Sequence, residues 1–99
     1  MKTTLSASDI RSINRVFREN PVKRAFLFGS IARGQADQDS DVDILVELDY
    51  SKHIGIRFIK IKNQLEEILN KKVDLVSENA ISKFILPYIN RDKHLIYER

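Results

Sequence analysis

Two short apolar runs, Val22–Phe28 and Val42–Leu48, constrain this chain more than any other feature. Near its end the first run is apolar at both alternating sets of positions. Ala25 and Leu27 point one way, Phe26 and Phe28 the other. That pattern predicts a strand covered on both faces, inside a sheet rather than at its edge. The second run alternates cleanly. Val42, Ile44, Val46 and Leu48 share one face, and Asp43, Leu45 and Glu47 share the other. Between the runs, Gly29 ends the first strand, 30–33 reads as one helical turn closed by Gly34, and 35–39 reads as a polar loop.

The remaining segments supply covering layers. Ser6, Ser8 and Asp9 offer N-cap chemistry ahead of Ile10, Ile13, Val16 and Phe17, which recur at helical spacing. Asn20-Pro21 stops that helix, because a residue before proline is pushed out of the α region. A second helix is predicted from Ile54 or Gly55 to about Asn70. Its apolar stripe is Ile54, Phe58, Ile61, Leu65, Ile68 and Leu69, with Arg57, Lys60, Gln64 and Glu67 outside. A short strand follows at 73–76, with Val73 and Leu75 on one face and Asp74 and Val76 on the other. Asn79 is expected to cap a helix reaching Asn90, kinked or split at Pro87. The segment 94–97 reads as a last edge strand or as a tail packed on the core. The predicted class is α/β, with a small mixed β-sheet of three to four strands flanked by helices.

Ninety-nine residues are expected to form one domain, 1–99, with one modest core and little left over for a separate acceptor-binding lobe. The net charge of +3 comes from interspersed charges without a basic stripe and interleaved aromatics, which argues against direct nucleic-acid binding. The chain has no cysteine, so disulfides, thiolate nucleophiles and cysteine-based zinc sites are excluded. No apolar run is long enough to span a bilayer, and the first residues lack a signal-peptide core. A cytoplasmic protein away from membranes is the expectation.

Three places carry candidate chemistry. Backbone N–H groups at the start of the turn after the first strand suit an anion, Gly29 lets a phosphate approach, and the Ser30 hydroxyl adds a donor. An ordinary strand-to-helix turn with a capping serine reads the same way. Asp41 and Asp43 share a strand face with Cβ atoms roughly 6–7 Å apart. Their charges repel by roughly 1–3 kcal/mol at an effective dielectric between that of water and about 20. A divalent cation between them turns this repulsion into attraction, and hard oxygen ligands favour Mg²⁺ or Mn²⁺ over Zn²⁺. Two exposed aspartates at a strand flank are the plainer reading. Asp74 interrupts an apolar strand and needs a metal or a partner such as Lys71, Lys72 or Arg33. If its strand pairs beside Val42–Leu48, the three carboxylates meet in one place. Arg33 is a candidate phosphate contact and Ser40 a turn residue before the strand. His53 and His94 lack metal-ligand spacing and read as structural or surface residues.

Together, Gly29-Ser30, Arg33-Gly34 and Ser40-Asp41-Val42-Asp43, with Asp74 in Val73-Asp74-Leu75-Val76, resemble the DNA polymerase beta-like nucleotidyltransferase superfamily, and the chain as a whole resembles its minimal nucleotidyltransferase (MNT) group. The resemblance implies a nucleotidyltransferase fold in which Gly29 and Ser30, assisted by Arg33 and Ser40, hold the triphosphate of ATP. It implies that Asp41, Asp43 and Asp74 hold two Mg²⁺ ions, with Mn²⁺ an alternative, and that Asp74 helps activate the attacking hydroxyl. It further implies an antitoxin that transfers AMP from ATP to a tyrosine of a HEPN ribonuclease toxin. The chain's small size fits an acceptor supplied by a partner, and Phe84, Tyr88 and Ile89 offer either a docking face for it or core packing. The alternatives are an antitoxin acting by binding alone, or a nucleotidyltransferase acting on RNA or a small molecule.

Overall fold

The computed structural model describes residues 5–35 and 40–99. In chain order it contains α1 (Ala7–Arg18), β1 (Val22–Phe28), the single-turn α2 (Gly29–Ala32), β2 (Val42–Leu48), α3 (Arg57–Leu69), β3 (Val73–Ser77), a 3₁₀ turn (Glu78–Ala80), α4 (Leu86–Asp92) and β4 (His94–Glu98). The strands form one sheet in the order β3-β2-β1-β4. β1 runs antiparallel to both β2 and β4, whereas β2 and β3 are parallel and joined through α3. The sheet is therefore mixed, β1 is interior, and the 94–97 segment is an edge strand, as expected.

α1 begins at a reciprocal cap. The Ser6 hydroxyl accepts from the Asp9 N–H at 3.0 Å, and the Asp9 carboxylate accepts from the Ser6 N–H at 3.0 Å. α3 starts at Arg57, later than the sequence pattern indicates, because Gly55 adopts φ +45° and Ile54 stays outside the helix. Ile61, Leu65 and Leu69 bury on its inner face, while Ile68, predicted to lie in that stripe, is exposed. Asn70 ends α3 in the left-handed conformation, φ 52°.

The predicted 79–90 helix does not form as one element. Asn79 sits inside the 3₁₀ turn, 81–85 is a connection, and Pro87 lies in the first turn of α4 rather than at a kink. A proline lacks the N–H that a helix interior needs but a first turn does not, so the helix restarts around it. The predicted polar loop 35–39 falls outside the described residues except for Gln35.

Alternation divides the sheet into two unlike faces. One packs Val22, Ala25, Leu27, Val42, Ile44, Val46, Val73 and Leu75 against Ile13, Val16 and Phe17 of α1 and Ile61 and Leu65 of α3. The other carries a small cluster, Phe26, Leu45 and Ile89, with Phe28 and Ile81 against it. Asp43 and Asp74 alternate with the buried residues of the first face and belong to the second. Among the described residues no helix is long and apolar enough to cross a membrane.

Candidate active site

Strand register builds the site. Asp43 pairs with Phe28 across the antiparallel β1–β2 ladder and with Asp74 across the parallel β2–β3 ladder. The chain leaves Phe28 directly into Gly29, so the α2 turn starts beside Asp43. Gly29 adopts φ +77°, a region that L side chains rarely enter, and a Cβ at this position would collide with the Asp43 carboxylate. Only glycine lets the turn and the carboxylate share this space. Ser30 is half-buried in the same turn, and its carbonyl accepts from the Gln35 N–H at 2.9 Å.

The electrostatics of Asp43 record this crowding. Its pKa is raised to about 6, first by burial, then by the charges of Asp74 and Asp41, with Arg33 opposing them. Asp41 lies just outside β2 and is exposed, so its carboxylate has room to turn. Ser40 before it is half-buried. Asp74 is exposed, and among the described residues no ion pair of it with Lys71, Lys72 or Arg33, the alternative to a metal, is formed. Arg33 instead reaches Asp92 of α4 at 3.4 Å and donates from Nε to Gln35 Oε1 at 3.1 Å.

No three His, Cys, Asp or Glu side chains among the described residues stand close enough to hold a metal ion as they are now turned. The donor set nevertheless fits a hard divalent cation. Asp43 and Asp74 pair across a ladder, the Asp74 charge helps to raise the Asp43 pKa, and both present hard carboxylate oxygens. The histidines lie apart from this trio: His94 Nε2 contacts the Ala32 carbonyl at 3.1 Å, and His53 is exposed.

Two features escaped the sequence pattern. One is the Arg33–Asp92 tie, which crosses most of the chain without any local signal. The other is a pair of cavities that share Phe28, Ile85 and Ile89. One, about 190 Å³, includes Gly29, Arg33, Tyr88 and Asp92. The second, about 270 Å³, includes Asp74, Val76, Ile81 and Ser82. A larger cavity, about 550 Å³, runs between α1 and β4 and holds none of the three aspartates. Of the candidate docking residues, Ile89 is buried with Phe26 and Leu45, while Phe84 and Tyr88 are 84% and 59% exposed.

Residues 11–99 match the polymerase beta nucleotidyltransferase family. The chain belongs to this family of nucleotidyltransferases. It is 37% identical over 71 residues to the protein adenylyltransferase MntA of Thermococcus cleftensis, spanning 72% of this chain and 71% of that one. A Methanocaldococcus jannaschii relative, named as a candidate protein adenylyltransferase, is 41% identical over 83 residues, 82% of this chain and 95% of its own. Among solved structures, a candidate minimal nucleotidyltransferase superposes with a TM-score of 0.76 at 28% identity, covering 88% of each chain. The fold also matches that of a toxin–antitoxin chain crystallised with AMP-PNP, with a TM-score of 0.77 at 23% identity over 91% of this chain and 73% of that one.

Proposed function

We propose that this chain, read as one minimal nucleotidyltransferase domain over residues 1–99, is a Mg²⁺-dependent protein adenylyltransferase. It transfers AMP from ATP to a tyrosine of a cognate HEPN ribonuclease toxin and so serves as its antitoxin. The observation that carries this reading is the register that sets Asp43 beside Asp74, with Gly29 closed against Asp43. The protein adenylyltransferase relatives support the reaction class, and the likeness to a toxin–antitoxin chain supports the partner class.

Asp41, Asp43 and Asp74 would hold the metal, two Mg²⁺ ions or Mn²⁺ in their place, which would neutralise the triphosphate and the charge that develops on it. The chain's own groups then position the reactants. Gly29 and Ser30 present backbone N–H groups and a hydroxyl to the phosphates, and Arg33 places a cation behind them. Ser40 steadies the approach to Asp41. The acceptor oxygen bonds to the α-phosphorus as the bond from that phosphorus to the β-phosphate bridging oxygen breaks. Pyrophosphate leaves with the electron pair, and the acceptor's proton passes to Asp74. ATP as donor fits a cytoplasmic location.

The test incubates the protein with α-labelled ATP, Mg²⁺ and a candidate cognate HEPN protein. Labelled tyrosine on the partner is expected, with a loss of roughly a thousandfold, about 4 kcal/mol, in the Asp41→Asn/Asp43→Asn double variant. If that variant labels at the wild-type rate, the site is elsewhere. If the partner is never labelled but is still neutralised, the chain acts by binding.

A further inference from the structure

The segment that ends α4 and opens β4 clasps the far end of the Gly29 turn. Two of its residues reach consecutive positions there. Asp92 Oδ2 pairs with Arg33 Nη1 at 3.4 Å. His94 Nε2 contacts the Ala32 carbonyl at 3.1 Å. A carbonyl oxygen can only accept, so Nε2 carries the proton in this contact. α2 is a single turn of four residues without a side-chain cap at its start. One turn fixes several residues for very few hydrogen bonds, so it holds its shape only with help from neighbours. The 92–94 segment supplies that help.

Arg33 needs it most. Its side chain is long and 43% exposed, so packing alone does not select one rotamer. The guanidinium is a planar fork with three nitrogen corners. Gln35 Oε1 accepts from Nε at 3.1 Å, and Asp92 takes Nη1. Two fixed corners fix the plane. The third, Nη2, makes no hydrogen bond among the described residues and keeps its donors for another acceptor. Asp92 is the better anchored member of the pair. Its side chain is 23% exposed, it stands on α4 one turn beyond the buried Ile89, and it makes no second ion pair among the described residues. The carboxylate therefore directs the guanidinium, not the reverse. Gly29, Arg33 and Asp92 line one cavity of about 190 Å³, so the fork is held in the space that the turn opens to a ligand.

We propose that Asp92 is a positioning residue: with Gln35 it holds the Arg33 fork so that Nη2 meets a phosphate of the bound nucleotide. This role rests on the nucleotidyl-transfer reading above and adds to it a residue of α4, remote in sequence, that prepares the phosphate site. The opposite arrangement is competition, in which a phosphate must draw Arg33 away from Asp92. The two differ in sign. Removing Asp92 weakens nucleotide binding if the carboxylate positions Arg33 and strengthens it if the carboxylate competes.

The test measures the affinity of the whole chain for a non-hydrolysable ATP analogue with Mg²⁺, alongside the kinetics of transfer. Asp92→Ala is expected to raise the Kd of the analogue and the KM for ATP roughly tenfold while kcat stays within about twofold. A double-mutant cycle with Arg33→Ala then separates positioning from a general structural role. In the Arg33→Ala background, Asp92→Ala should change the Kd by less than about twofold, because nothing is left for the carboxylate to hold. Tighter or unchanged binding in Asp92→Ala, or effects that add fully in the double variant, overturns the role of Asp92 and leaves the transferase reading standing. Folded wild-type protein that binds no analogue overturns the transferase reading and the role of Asp92 with it.

Discussion

The two faces of the sheet are built from the same four strands and do opposite work. Under α1 and α3, Val42, Ile44, Val46 and Val73 have no solvent exposure. One residue along each strand, Asp43 and Asp74 face each other on the opposite side, where burial and like charge hold the Asp43 pKa near 6. Alternation allows this division, since neighbouring side chains on a strand never compete for the same environment. A face packed this completely can stabilise a sheet whose other face carries mutually repelling groups. The site is thus a locally unfavourable arrangement carried by a favourable one, a common pattern where charges are poised for catalysis.

The largest expected effect lies on the covered face. Phe17 is fully buried and its ring centroid lies 5.5 Å from that of Tyr97. Phe17→Ala should destabilise the fold by roughly 3–5 kcal/mol in urea unfolding, while the fraction that remains folded keeps its transfer rate. A comparable loss of specific activity in the folded fraction would mean that the faces are not independent.

Next comes Gly29→Ala, which should act mainly on the site. The strained φ and the collision with Asp43 displace the carboxylate. We expect transfer to fall roughly a hundredfold, about 3 kcal/mol, with unfolding changed by only about 1–2 kcal/mol. A larger effect on unfolding than on transfer would reverse the assignment.

A smaller effect concerns pH. The folded-state pKa of Asp43 lies above its ordinary value of 3.8. The folded chain therefore binds this proton more tightly than the unfolded chain, and stability should be greatest below about pH 4 and decline as pH rises through about 6. After allowance for solvent screening this amounts to about 1 kcal/mol. Thermal melts of wild type and Asp43→Asn in metal-free buffer isolate the contribution, because the variant should lack that segment of the pH dependence. The smallest effect is expected at Ser6→Ala, which removes an exposed cap at the start of α1. It should cost roughly 0.5–1 kcal/mol in unfolding and nothing in transfer.

What was legible in the chain follows from the range of the forces involved. β1 and β2 run over the residues that alternation predicts, because a strand's pattern is written in its own side chains. The carboxylate trio was legible as candidates, since three acidic groups in or beside apolar strands demand a reason. Their meeting was conditional on β3 pairing with β2, a long-range fact that the parallel register supplies. The 79–90 segment misled because its apolar residues keep helical spacing across Pro87, whereas the backbone breaks into a 3₁₀ turn, a connection and a short helix. Ile68 misled as well: spacing places it in the stripe of α3, yet it is exposed. The Arg33–Asp92 tie and the partitioned cavities arise only where remote segments meet, and no local pattern encodes them.

The central claim is that Asp43 serves chemistry at the expense of stability, and Asp43→Asn tests it with two readouts on one preparation. Near neutral pH in metal-free buffer the variant should melt at a higher temperature than wild type, and with Mg²⁺, α-labelled ATP and the HEPN partner it should transfer no label. A variant that melts lower, or that labels the partner at the wild-type rate, would contradict the account.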